Sequence, residues 1–133
     1  MILDEVAGFL ARVPAFRLLG AADLLELAAH VQVDFFPAGT PLLTEGGPPS
    51  EFLQIVVSGG IKVSLPARVG GEVVVDYRSE GAAIGYLSLL SGERSRMNVT
   101  AIEDSCCYLG PRAPFAALLE RQPASHALLT RAF

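Results

Sequence analysis

Three double glycines, Gly46-Gly47, Gly59-Gly60 and Gly70-Gly71, punctuate the middle of the chain and separate apolar stretches of strand length. Glycine supplies the backbone freedom that tight turns require, so this spacing predicts short strands joined by turns. The strands read as Phe52 to Val57, Ile61-Val63-Leu65 and Val73 to Tyr77. The stretches between the glycines do not resemble one another, which excludes a solenoid and leaves a small antiparallel barrel or jelly roll as the expected scaffold. Thirteen glycines and nine prolines dispersed over 133 residues are too many for a helical bundle. The length fits one domain, 1–133, that buries about two thirds of its unfolded surface and needs no metal or disulfide to fold.

Helices are expected only at the ends. Ile2, Val6, Phe9, Leu10 and Val13 share one helical face until Pro14 interrupts the pattern. A second helix starts after Gly20, with Asp23 complementing the dipole and Leu24, Leu27, Ala28 and Val31 forming an apolar stripe. These two make an N-terminal helical segment, 1–31. At Val31 the period changes to two, with Val31, Val33 and Phe35 alternating with Gln32 and Asp34, and a β-barrel is expected over 32–110. The alternation fails over Ile84 to Leu90, read as a single helical turn between strands. It resumes at Met97, Val99 and Ala101, turns at Glu103-Asp104 and runs from Ser105 to Leu109. Pro111 and Pro114 then open a C-terminal helical segment, 111–133, whose last helix begins near Ala124.

Several chemistries are excluded at once. His30 and His126 stand alone, two adjacent cysteines complete no zinc set, and no phosphate loop, dinucleotide fingerprint or nucleophile elbow is present. Neither a catalytic residue nor a metal ligand is assigned, and no cofactor is expected. A net charge of −4, with Lys62 the single lysine beside nine arginines, gives no electrostatic footprint for duplex DNA. Cys106 and Cys107 are neighbours and form no disulfide framework, in keeping with a reducing cytoplasm. Asp4 and Glu5 stand where a secretory signal would be basic, and no apolar run reaches the roughly 18 residues that span a bilayer.

One segment, Gly81 to Val99, carries functional content. A glycine at the start of a short helical turn lets backbone approach a ligand closely, and arginines soon after it can pair with phosphate. Glycine and arginine are also what an exposed loop between strands contains, so a phosphate cradle and a plain loop both fit these residues.

The order of several landmarks adds a further constraint. Phe36-Pro37-Ala38-Gly39-Thr40, Glu45-Gly46, Val57-Ser58-Gly59-Gly60-Ile61-Lys62-Val63 and Ile84-Gly85-Tyr86-Leu87-Ser88-Leu89-Leu90-Ser91-Gly92 together resemble the cyclic nucleotide-binding domain family. The resemblance covers nearly the whole chain. It implies a mainly β double-stranded β-helix, or jelly-roll, barrel with flanking helices and a phosphate-binding cassette over 81–98. It further implies ligand contacts from Ile84, Gly85, Tyr86, Leu87, Ser88, Arg94, Ser95, Arg96, Met97 and Asn98. In the family cassette a glutamate follows the glycine and accepts the ribose 2′-hydroxyl, and an arginine holds the cyclic phosphate. Here Tyr86 stands at the glutamate position and Ser95 at the arginine position, with Arg94 and Arg96 on either side and Met97-Asn98 replacing the small pair. Met97 is expected to take up volume that a cyclic nucleotide would fill.

The resemblance implies a sensor module and not an enzyme. It would bind cAMP, cGMP or another phosphate-containing anion and signal through its flanking helices to an effector domain C-terminal to the segment. The stretch from Ser88 to Leu119 is also similar to a bacterial subgroup in which this domain precedes paired cystathionine-β-synthase-type domains and a nucleotidyltransferase domain. The chain is accordingly expected to be a fragment of a longer cytoplasmic protein, with no direct DNA binding and no membrane contact, and with a homodimer as one arrangement. The departures at Tyr86, Ser95 and Met97 motivate a second reading, a degenerate barrel kept for interaction or dimerisation. A cupin-like enzyme would need metal-binding histidines, and a catabolite-activator-type regulator would need a helix-turn-helix after Phe133.

Overall fold

The computed structural model describes residues 2–123. Helix α1 (Leu3–Arg12) and helix α2 (Ala21–His30) form as their periodicity dictates, joined through a 3-10 turn at Pro14–Phe16. Helix α1 stops where Pro14 pushes the preceding residue out of the helical region, leaving Val13 extended at φ −71°, ψ 122°. The apolar residues from both stripes, Val6, Phe9, Leu10, Val13, Leu24, Leu27, Ala28 and Val31, are buried, whereas Ile2, which precedes the first turn of α1, stays exposed.

Eight strands follow: β1 (Gln32–Phe36), β2 (Pro41–Leu43), β3 (Phe52–Ser58), β4 (Ile61–Pro66), β5 (Glu72–Arg78), β6 (Ala83–Ile84), β7 (Asn98–Ala101) and β8 (Ser105–Pro111). A short helix α3 (Tyr86–Ser91) is inserted after β6, and α4 (Arg112–Arg121) closes the described chain. The expected helix beginning near Ala124 lies outside the described residues. The strands form two four-stranded sheets, in the orders β1-β8-β3-β6 and β2-β7-β4-β5, with antiparallel pairing throughout. This is a mainly β jelly roll with flanking helices.

Two apolar cores result. One fills the barrel between the sheets and contains Val56, Ile61, Val63, Ile84, Val99 and Cys107. The other packs the helices against the outer face of the first sheet and contains Phe9, Phe16, Leu27, Leu53, Ile55, Tyr86, Leu89 and Phe115. Strand β3 serves both, which is why Leu53 to Val56 is buried without alternation.

Two strands depart from what their alternation suggests. In β1 both Val33 and Phe35 are exposed, Phe35 by 73%, and Phe36 is the residue that packs toward the barrel interior. In β5 every residue from Glu72 to Tyr77 is exposed, because it is the outer strand of its sheet and its hairpin with β4 extends past the core. Lys62 and Ser64 of β4 both bond the Glu72 carboxylate, and these contacts hold its pKa below the ordinary value.

Candidate functional site

A cavity of about 450 Å³ opens where α3 and the segment after it meet the barrel. Its size falls within the roughly 300–1,000 Å³ usual for small-molecule sites. Leu43, Ile84, Met97 and Val99 supply apolar wall from the barrel side, and Tyr86 closes the helix side. Gly85, Ser88, Ser91, Glu93, Arg94, Ser95 and Arg96 complete the lining.

Gly85 turns the chain from β6 into α3 at φ 85°, ψ 9°, a left-handed conformation that costs an L-residue dearly. A Cβ there would also lie 3.1 Å from Ser50 Oγ. Ser88 ties α3 to its surroundings: its hydroxyl accepts from the Ser50 N–H at 3.0 Å and donates to the Glu93 carbonyl at 2.6 Å. Tyr86 is 1% exposed and belongs to the helix-side core, so it forms a wall and leaves the cavity open. Met97 likewise lies against the barrel core with the cavity open beside it.

The polar residues after α3 secure the loop between β2 and β3. Arg94 Nη1 donates to the Gly46 carbonyl at 2.8 Å, the Gly46 N–H donates to the Ser95 carbonyl at 2.9 Å, and the Glu45 N–H donates to Asn98 Oδ1 at 2.8 Å. Ser95 folds its hydroxyl onto the segment leading into β7, donating to the Met97 carbonyl at 2.8 Å. Arg96 is 89% exposed, with Glu93 Oε2 3.9 Å from its guanidinium.

Eight of the ten residues singled out in the sequence therefore converge on one cavity: Ile84, Gly85, Tyr86, Ser88, Arg94, Ser95, Arg96 and Met97. Asn98 does not line it; its amide braces the β2–β3 loop. Leu87 lies in α3, and its side chain is outside the described set. Leu43, Ser91, Glu93 and Val99 are additional lining residues. Val99 is signalled by the alternation after Met97. Leu43 comes from a three-residue strand too short to carry a pattern.

The position of the cavity, beside a glycine-initiated helical turn in a jelly roll, is the setting in which comparison with known proteins becomes informative. The cyclic nucleotide-binding domain family matches residues 33–122. The chain belongs to this family. It is 34% identical over 80 residues to the global nitrogen regulator of Synechococcus elongatus, covering 60% of this chain and 33% of that protein. It is 32% identical over 93 residues to the cAMP-dependent protein kinase regulatory subunit of Mycosarcoma maydis, covering 70% of this chain and 17% of that one. Among solved structures, the regulatory subunit of a cAMP-independent protein kinase A from Trypanosoma cruzi, bound to guanosine, superposes with a TM-score of 0.82 at 25% identity, covering 93% of this chain and 43% of that chain.

The chain thus spans a third or less of these curated relatives, which are regulatory proteins by name. The left-handed turn at Gly85 is followed directly by Tyr86, which the structure places in the helix-side core. No helix among the described residues is long and apolar enough to cross a membrane. None of their His, Cys, Asp and Glu side chains cluster as a metal site.

Proposed function

We propose that the chain is the ligand-sensing module of a cytoplasmic regulatory protein and not an enzyme, with a ligand of the nucleotide class, such as cAMP, cGMP or a related molecule, seated in the cavity beside α3. The open cavity at the family's cassette position carries this reading. If the barrel were kept only for interaction or dimerisation, Tyr86 and Met97 would have no reason to stand clear of that volume. The guanosine in the Trypanosoma cruzi structure supports the wider ligand class, since that protein holds a nucleoside on a similar fold. Ligand binding would reposition the helices that share a core with Tyr86 and so reach an effector domain C-terminal to the segment.

A thermal-shift titration with cAMP, cGMP, adenosine and guanosine tests this directly. A ligand present at 100 times its dissociation constant should stabilise the fold by about 2.7 kcal/mol. Absence of any shift at millimolar concentration with all four would leave the interaction-domain reading in its place.

A further inference from the structure

We infer, on the proposed reading of this cavity as a nucleotide-class site, that its preferred ligand is an uncharged nucleoside and not a 3′,5′-cyclic monophosphate, and that Ser95 sets the preference. An anion that leaves water must meet a cation or aimed donors inside the site. The walls here are Leu43, Ile84, Tyr86, Met97 and Val99, and none of the lining residues is a buried cation. Both lining arginines stand exposed at the rim. Arg94 is exposed and gives one Nη1 donor to the Gly46 carbonyl at 2.8 Å, which ties its guanidinium to the β2–β3 loop in water rather than inside the cavity. Arg96 is almost fully exposed, with the Glu93 carboxylate 3.9 Å away in the same mouth, so it offers an anion a water-screened surface pair and no buried partner. The Ser95 and Ser88 hydroxyls are already bonded to backbone.

A nucleoside fits these conditions. Its flat base meets the apolar wall without burying a charge, and its neutral hydroxyls can donate to the Glu93 carboxylate at the mouth. Ser95 is half-buried and lines the cavity, so an arginine there would place a guanidinium within it.

Calorimetric titration of the chain with adenosine, guanosine, cAMP and cGMP, repeated with Ser95→Arg, tests the inference. In the wild type one nucleoside should bind about tenfold or more tightly than its own cyclic monophosphate, and Ser95→Arg should reverse that order. If a cyclic nucleotide binds the wild type as tightly as its nucleoside, the inference falls while the sensor reading stands. If none of the four binds, both fall. A melting curve checks that Ser95→Arg is folded, and Ser95→Lys serves if it is not. Failure of every folded cationic variant to gain cyclic-nucleotide affinity removes Ser95 from the role.

Discussion

Gly85 and Cys107 show how much a single position decides here. The left-handed turn at Gly85 sets the entry of α3, so Gly85→Ala should lower stability by about 1–2 kcal/mol in urea denaturation, and more if Ser50 cannot yield. An unchanged midpoint would mean that the turn relaxes freely. Cys107 lies in the barrel core, where burial first, then Cys106 and Asp34, push its thiol from 9.0 up to about 11. The folded thiol holds its proton more tightly than the unfolded one. Its contribution to stability is therefore complete below about pH 9 and is lost as pH rises toward about 11. Alkylation of the folded chain at pH 8 should accordingly label half-buried Cys106 well before Cys107, read by peptide mass spectrometry. Equal rates would contradict the packing. The glycine's role was legible in the sequence. The direction of Tyr86 was not, because core packing from α4 and β3 settles it and no local pattern carries that information.

At the level of elements, periodicity predicted α1, α2 and the helical turn at α3, whereas Pro111, expected to break the sheet, is the last residue of β8 and pairs with Phe52 before α4 begins. It was weakest for β1 and β5, whose apolar residues face solvent, since alternation marks a strand without saying which face is covered. The docking of α4 was also hidden. Gly110 of β8 lies directly under the Phe115 ring, and a Cβ built there would meet ring carbons at 2.5–2.8 Å. Phe115 is fully buried and packs edge-on against Phe16, so it cannot retreat without disturbing the helix-side core. Gly110→Ala should therefore cost about 1–3 kcal/mol by overpacking, measured as a shift of the denaturation midpoint. The same substitution should raise amide exchange across Arg112–Arg121 more than across β4. Uniform destabilisation would indicate that α4 is not seated through this contact.

At the scale of the whole molecule, the two cores meet at the cavity. Leu43, Ile84, Met97 and Val99 belong to the barrel side, whereas Tyr86 belongs to the core that holds α1, α2 and α4. The strand orders that create this meeting pair β1 with β8 and β2 with β7, over separations that no local pattern reveals. On the proposed reading, a ligand pressing on the cavity wall would act on the helices through Tyr86, and on β5 only through the length of the second sheet. Ligand saturation should therefore change amide exchange in Arg112–Arg121 and in α1 more than in Glu72–Arg78. Replacing Tyr86 with leucine removes much of that wall and also leaves a cavity in the core, at a cost of about 2–4 kcal/mol on the scale of large-to-small substitutions. Tyr86→Phe keeps the ring and separates the two effects. If the ring transmits the change, Tyr86→Phe retains the exchange response of α4 and Tyr86→Leu loses it while still binding ligand. An α4 response that survives in a ligand-bound Tyr86→Leu chain would place the connection elsewhere, with the α3 backbone and Leu89 as the remaining route from cavity to helix.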